Sequence, residues 1–146
     1  MTLSLQITLG TSLLLICAVL HISALVIGLP LLQALANRLK TARKKYRGTA
    51  LLVFGVLVIV VAHTLQIWIW AAAIFATGAF PDFATSFYFP TTTYTTLGYG
   101  DMVLTEGWRS FGTFAAITGL LTFGISTAFL INLIGRIMPA LTDHKH

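Results

Sequence analysis

Four long stretches of this chain carry no charged side chain: residues 1–37, 48–81, 83–100 and 110–135. A chain of 146 residues has a high ratio of surface to volume, and water-facing surface of that extent needs far more charge. Only 9% of the residues are charged and 57% are hydrophobic, against about 25% and roughly 45–50% in soluble domains. Three of the stretches reach the length of about 20 apolar residues that a helix needs to cross a hydrocarbon core about 30 Å thick. Each has to be helical, because a segment in lipid must satisfy its own backbone hydrogen bonds. An ordinary soluble domain is excluded. The chain is expected to be an all-α membrane protein with three transmembrane helices.

Charge sets the expected topology. Six of the nine basic residues (Arg38, Lys40, Arg43, Lys44, Lys45 and Arg47) fall within ten positions between two apolar stretches. On a soluble protein such a run would suggest nucleic acid. Here it reads as a cytoplasmic loop, so no nucleic-acid partner is expected, and the same side chains suit anionic lipid headgroups. The N-terminus and segment 76–109 then lie outside, and Arg136, Lys145 and the C-terminus lie inside. The expected division is an N-terminal helix within 1–37, a basic loop at 38–47, membrane helices at 49–76 and 109–138, and a short cytoplasmic tail at 139–146. A cleaved signal peptide is not expected, because the first residues lack a positive n-region and the apolar run is too long. Cys17 has no partner for an intrachain disulfide.

Residues 83–100 are uncharged but rich in Thr, Gly and aromatics, and too short to span as a helix. Pro81 and Asp82 look like a helix start, with the carboxylate beside the positive dipole end. A short helix over 82–94 followed by a Gly-punctuated run is expected to re-enter the membrane without crossing it. Non-helical backbone at that depth needs burial in protein or a water-filled path.

The string Thr95-Thr96-Leu97-Gly98-Tyr99-Gly100-Asp101 closely resembles the potassium-channel selectivity filter, whose usual core is Thr-Val-Gly-Tyr-Gly. Leu97 stands in place of Val. A K⁺ ion shedding water needs oxygens in place of its hydration shell, and Gly98 and Gly100 allow the backbone to adopt φ > 0 at no Cβ cost. The resemblance extends over about 48–138 and is to the potassium-channel pore-domain family, in its bacterial two-helix-plus-pore-loop form, with an added N-terminal helix. It implies a homotetramer in the bacterial inner or plasma membrane. The outer helix would be 49–76, the pore helix 82–94, the filter 95–101 and the inner helix 109–138. Ion-binding oxygens would come from Thr96, Leu97, Gly98 and Tyr99, with Gly100 following, and the Tyr99 ring would turn outward as a brace. K⁺ would be the only bound species, with no organic cofactor and no reaction catalysed. Gly119 falls where the family commonly carries a hinge glycine; it and Gly124 could equally serve close helix packing.

Two positions depart from the family pattern. Pro90 lies inside the pore helix, where a ring clash and a lost hydrogen bond cost about 3 kcal/mol and predict a kink or broken turn near Ser86. Thr92 stands where some potassium channels place a Glu that pairs with the filter-end aspartate, here Asp101. The support around the filter (Pro90, Thr92, Thr95 and Asp101) must therefore work differently.

His21 and His63 are almost equidistant from the centre of the basic run, so antiparallel helices place them at similar depth. Gln66 is one turn from His63 and Cys17 one turn from His21. The cluster reads as interhelical hydrogen-bond glue, a pH sensor or a metal site. Trp68, Trp70 and Trp108 are expected at the outer interface, Glu106 and Arg109 as a weak surface pair, and His144 and His146 in a disordered tail. No helix has the repeated Arg/Lys of a voltage sensor, and no ligand-binding domain is evident. A weakly selective cation channel usually alters the Tyr–Gly pair, and a single-chain potassium transporter needs four linked pore units. A membrane-embedded enzyme on His21, His63 and Cys17 lacks any carboxylate within the three spans.

Overall fold

A computed structural model describes the backbone of residues 2–142 and the side chains to Ile137. His144, Lys145 and His146, and most of the tail expected at 139–146, lie outside the described residues or side chains. The described chain is all-helical: α1 (Leu3–Arg38), α2 (Lys44–Ala76), α3 (Phe83–Tyr94) and α4 (Arg109–Thr142), with one 3-10 turn at Glu106–Trp108. Three of these helices are long and apolar enough to cross a bilayer.

Half of the segment expected as a ten-residue basic loop is helix. α1 runs through Arg38 and α2 begins at Lys44, leaving a turn at 39–43 closed by Leu39 N–H to Leu35 O at 3.0 Å and Ala42 N–H to Leu39 O at 3.1 Å. Lys and Arg are good helix formers, so the basic residues extend the spans into the headgroup region, where their charges reach water. α1 also continues through Pro30.

α1 lies against α2 and α4, and α3 touches α2 and α4 but not α1. The shared core contains Cys17, Trp70, Ile74, Tyr94, Phe111 and Ala115. Trp70 belongs to it and not to the interface expected from sequence: it is fully buried, with its ring 5.3 Å from that of Phe111. Gln66, Trp70 and Ile74 repeat every four residues on the face of α2 that meets its neighbours. Trp68, two positions from Trp70, points outward at 51% exposure. Many exposed large apolar side chains, such as Leu15, Val19, Val61 and Leu120, lie on the three long apolar helices.

α1 also finishes the start of α4. The Gln6 side-chain oxygen, 5% exposed, accepts from the Ser110 N–H at 3.1 Å and the Phe111 N–H at 3.4 Å. These are two of the donors that a helix N-terminus leaves without intrahelical partners.

Gly119 is where α4 comes nearest α3. A Cβ there would overlap the Tyr94 carbonyl oxygen and sit 2.9 Å from its carbon, whereas a Cβ on Gly124 meets nothing within 4 Å. Close approach therefore gives Gly119 a packing role. Gly119→Ala should destabilise the protein by about 1–3 kcal/mol, the usual cost of overpacking, while Gly124→Ala should be far milder. Thermal unfolding in detergent checks this, and equal melting shifts in the two variants would contradict it.

Candidate functional site

The segment after α3 is built on the end of that helix. Asp82 is its N-cap, one residue before the helix, and its carboxylate accepts the Thr85 N–H and the Thr85 hydroxyl, each at 2.8 Å. The Thr85 N–H, followed by the hydroxyl, holds the Asp82 carboxyl below its usual range. Pro90 does not break α3, which runs uninterrupted to Tyr94. Hydroxyls occupy backbone acceptors on both sides of it: Ser86 Oγ donates to Asp82 O at 2.9 Å and Thr91 Oγ1 to Phe87 O at 2.7 Å. Continuity of the other hydrogen bonds carries the helix across the one that proline removes.

At the C-terminal end the following residues themselves act as the cap. The Thr92 carbonyl accepts from the N–H groups of Leu97 at 2.9 Å and Gly98 at 3.1 Å, and Thr93 O accepts from Thr96 N–H at 3.0 Å. The Thr95 hydroxyl adds a bond to Thr91 O at 2.8 Å. Helix-end carbonyls that would lack partners are thereby satisfied. The geometry has a further consequence. In a planar trans peptide the C=O points opposite to the N–H. Because the N–H groups of Leu97 and Gly98 both turn toward Thr92, the carbonyls of Thr96 and Leu97 both turn away from α3. Two successive carbonyls share one side, which an ordinary strand with its alternating pattern does not allow.

Every second residue in this run has a positive φ: Thr96 at 59°, Gly98 at 51° and Gly100 at 77°. The two glycines adopt this freely. Thr96 does not; among the described residues it is the one non-glycine with positive φ. A β-branched residue held there is a strained outlier of the kind that clusters at functional sites. The sequence gives no signal for it beyond its place before Leu97.

Asp101 is tied to α3 by a different side chain from the one the family resemblance directs attention to. Thr92 is buried with its hydroxyl bonded back to Phe89 O at 3.0 Å. Tyr88, one turn earlier, donates its hydroxyl to Asp101 Oδ2 at 2.7 Å, and Asp101 Oδ1 accepts the Met102 N–H at 3.1 Å. The carboxylate holds the Tyr88 phenol above its ordinary value. Tyr88 went unrecognised in the sequence, although its i,i+4 relation to Thr92 puts both on one face of α3. Tyr99 lies on the outside of this single chain. Its ring is 68% exposed, and Leu97 beside it is 56% exposed.

The polar residues of the spans converge below this segment. The His21 and His63 rings lie 4.8 Å apart, centroid to centroid. Ser126 Oγ is 2.9 Å from His21 Nε2 and 3.0 Å from His63 Nε2. His63 Nδ1 is 2.7 Å from the Tyr94 hydroxyl, and Gln66 Nε2 is 2.9 Å from His21 Nδ1. Tyr94 also reaches Thr122 Oγ1 at 2.8 Å. Cys17 is buried in the neighbouring apolar core. Among the described residues, no three His, Cys, Asp or Glu side chains converge as a metal-binding set. Glu106 and Arg109 approach to 3.9 Å at the surface, a pair of small energetic value.

A family model described as "Ion channel" matches residues 49–136, more than half of the chain. The chain belongs to this family, that of two-helix potassium-channel pore domains, and is an integral membrane protein. Neither the curated proteins nor the solved structures contain a match. The matched region contains α3, the run to Asp101 and most of α2 and α4, but not α1.

Removing the Tyr88 hydroxyl frees Asp101 from α3 without touching the carbonyl-bearing backbone. Tyr88→Phe should therefore leave assembly intact and reduce discrimination between cations in a liposome flux assay. An unchanged K⁺/Na⁺ flux ratio would show that Asp101 needs no such tether.

Proposed function

We propose that this chain is one subunit of a homotetrameric, potassium-selective channel that passes K⁺ down its electrochemical gradient and catalyses no reaction. The observation that carries the reading is the pair of Thr96 and Leu97 carbonyls turned to one side by the Thr92 carbonyl behind them. The positive φ values at Thr96, Gly98 and Gly100 support the same one-sided arrangement of carbonyls continuing along the run. Carbonyls of Thr96, Leu97, Gly98 and Tyr99 would then replace the hydration shell of K⁺.

A single strand supplies only one oxygen at each level, and a dehydrated K⁺ needs several. Four copies around an axis complete the rings. The exposure of Leu97 and Tyr99 fits this, since their cover would come from neighbouring subunits. α3 would be the re-entrant pore helix, its partially negative C-terminal end favouring a cation at the inner side of the filter. α2 and α4 would be the outer and inner helices and α1 a peripheral addition.

The basic turn would face the cytoplasm, with both the N-terminus and the filter's outer end on the opposite side. Arg38, Lys40, Arg43, Lys44, Lys45 and Arg47 would meet anionic headgroups there. Conduction proceeds by multi-site knock-on, in which ions at adjacent levels repel one another. Gly124, with open space beside it, is the better hinge candidate on α4, since Gly119 is closed against Tyr94.

The test is flux from liposomes containing the purified protein. K⁺ efflux that exceeds Na⁺ efflux by a large factor and is blocked by Ba²⁺ is the expected result. Equal flux of the two ions would replace the selective channel by a weakly selective one, and no flux of either would remove the channel reading.

A further inference from the structure

The polar cluster between the four helices admits one continuous direction of hydrogen bonding, read from its donors and acceptors. Gln66 Nε2 lies 3.2 Å from the Ala62 carbonyl oxygen, which can only accept, so the amide nitrogen is the atom on that side. The same nitrogen faces His21 Nδ1. That ring nitrogen must therefore carry the lone pair, and neutral His21 carries its hydrogen on Nε2 and donates it to Ser126 Oγ. With that bond accepted, Ser126 donates to His63 Nε2. Neutral His63 then carries its hydrogen on Nδ1 and donates it to the Tyr94 hydroxyl. Tyr94 passes its own hydrogen to Thr122 Oγ1 at 2.8 Å or to Gln66 Oε1 at 3.3 Å, where the circuit began. In this order every hydrogen has an acceptor with both imidazoles neutral and of opposite tautomer.

An added proton has to disturb this order. At His21 it would face the Gln66 amide, which cannot turn over without setting its oxygen against the Ala62 carbonyl. At His63 Nε2 it faces only the Ser126 hydroxyl, which can swing its hydrogen to its own helix. His63 is also half-buried, whereas His21, Gln66, Tyr94 and Ser126 are buried. The other titratable neighbours are His21 and Cys17 on α1 and Tyr94 on α3. α4 presents only the hydroxyls of Thr122 and Ser126. No Asp, Glu, Lys or Arg is among the partners to hold or offset the charge.

We propose that this circuit is a proton-operated brace on the filter. With both imidazoles neutral it holds Tyr94, the last residue of α3, and so the Thr95–Thr96 backbone that follows it. A proton taken up by His63 breaks the order and puts a positive charge at the helix end that otherwise favours a cation, so acid weakens conduction. α1, which lies outside the matched family region, takes part through His21. The conduction half of this inference rests on the channel reading; the tautomer half does not.

Two measurements test it. In ¹⁵N-histidine NMR of the detergent-solubilised protein, His21 should show the Nε2–H tautomer and His63 the Nδ1–H tautomer. The same tautomer at both positions would overturn the circuit, whether or not the protein conducts. In liposomes, wild-type K⁺ flux should fall severalfold as the pH drops below the ordinary imidazole range, and His63→Gln, which cannot be protonated, should lose that fall. Matching acid responses in the two proteins, or a flat wild-type profile, would overturn the brace. Should His63→Gln fail to assemble, Tyr94→Phe takes its place. It removes the acceptor of the His63 Nδ1 hydrogen and should shift the pH of half-effect, and an unshifted profile counts against the proposal.

Discussion

One backbone oxygen organises the segment proposed to hold the ions. The Thr92 carbonyl, at the end of α3, holds the N–H groups of both Leu97 and Gly98. That arrangement completes the helix end, stops α3 from continuing and points two successive carbonyls away from the helix. Cap and candidate ion site are thus the same few peptide planes. Any change in the position of α3 is transmitted to them directly, because no flexible linker separates Tyr94 from Thr96.

The rest of the chain can be understood as fixing α3. Asp82 caps its start, Tyr88 fastens Asp101 beside its middle, and Gly119 lets α4 approach its last carbonyl. The helix continues through Pro90 although that residue removes one backbone bond. The polar circuit secures the Tyr94 side chain from the remaining three helices. Buried polar groups in a membrane are costly unless satisfied, and here each ring nitrogen has a partner. α1 supplies two of these fixings, through His21 and through Gln6 at the start of α4, so it is more than a lipid-facing addition.

What could be read from the sequence was whatever depends on lipid or on local backbone chemistry. Charge-free length identified the spans, and the run Thr95 to Asp101 pointed to the segment proposed to hold the ions. Equal spacing from the basic turn pointed to His21 and His63 together, since antiparallel helices convert sequence distance into depth. Tertiary consequences were not legible. Nothing local distinguishes Trp70 from Trp68, yet one is core and the other faces outward. Tyr88 and Ser126 are ordinary residues until a partner from another element meets them. The positive φ of Thr96 opposes its own propensity and is imposed by the hydrogen bonds on either side. Pro90 sits in an unbroken helix because its cost in an isolated helix leaves out the packing of α3 against α2 and α4.

The central claim is that the exposed Thr96–Tyr99 backbone faces its own copies across an axis, with ions between the carbonyls. A cryo-electron microscopy map of the membrane-reconstituted protein in K⁺ addresses this most directly. The account predicts four chains around one axis, with density peaks level with the Thr96, Leu97, Gly98 and Tyr99 carbonyls that weaken when K⁺ is replaced. A particle in which these segments lie apart, or face lipid, would contradict it.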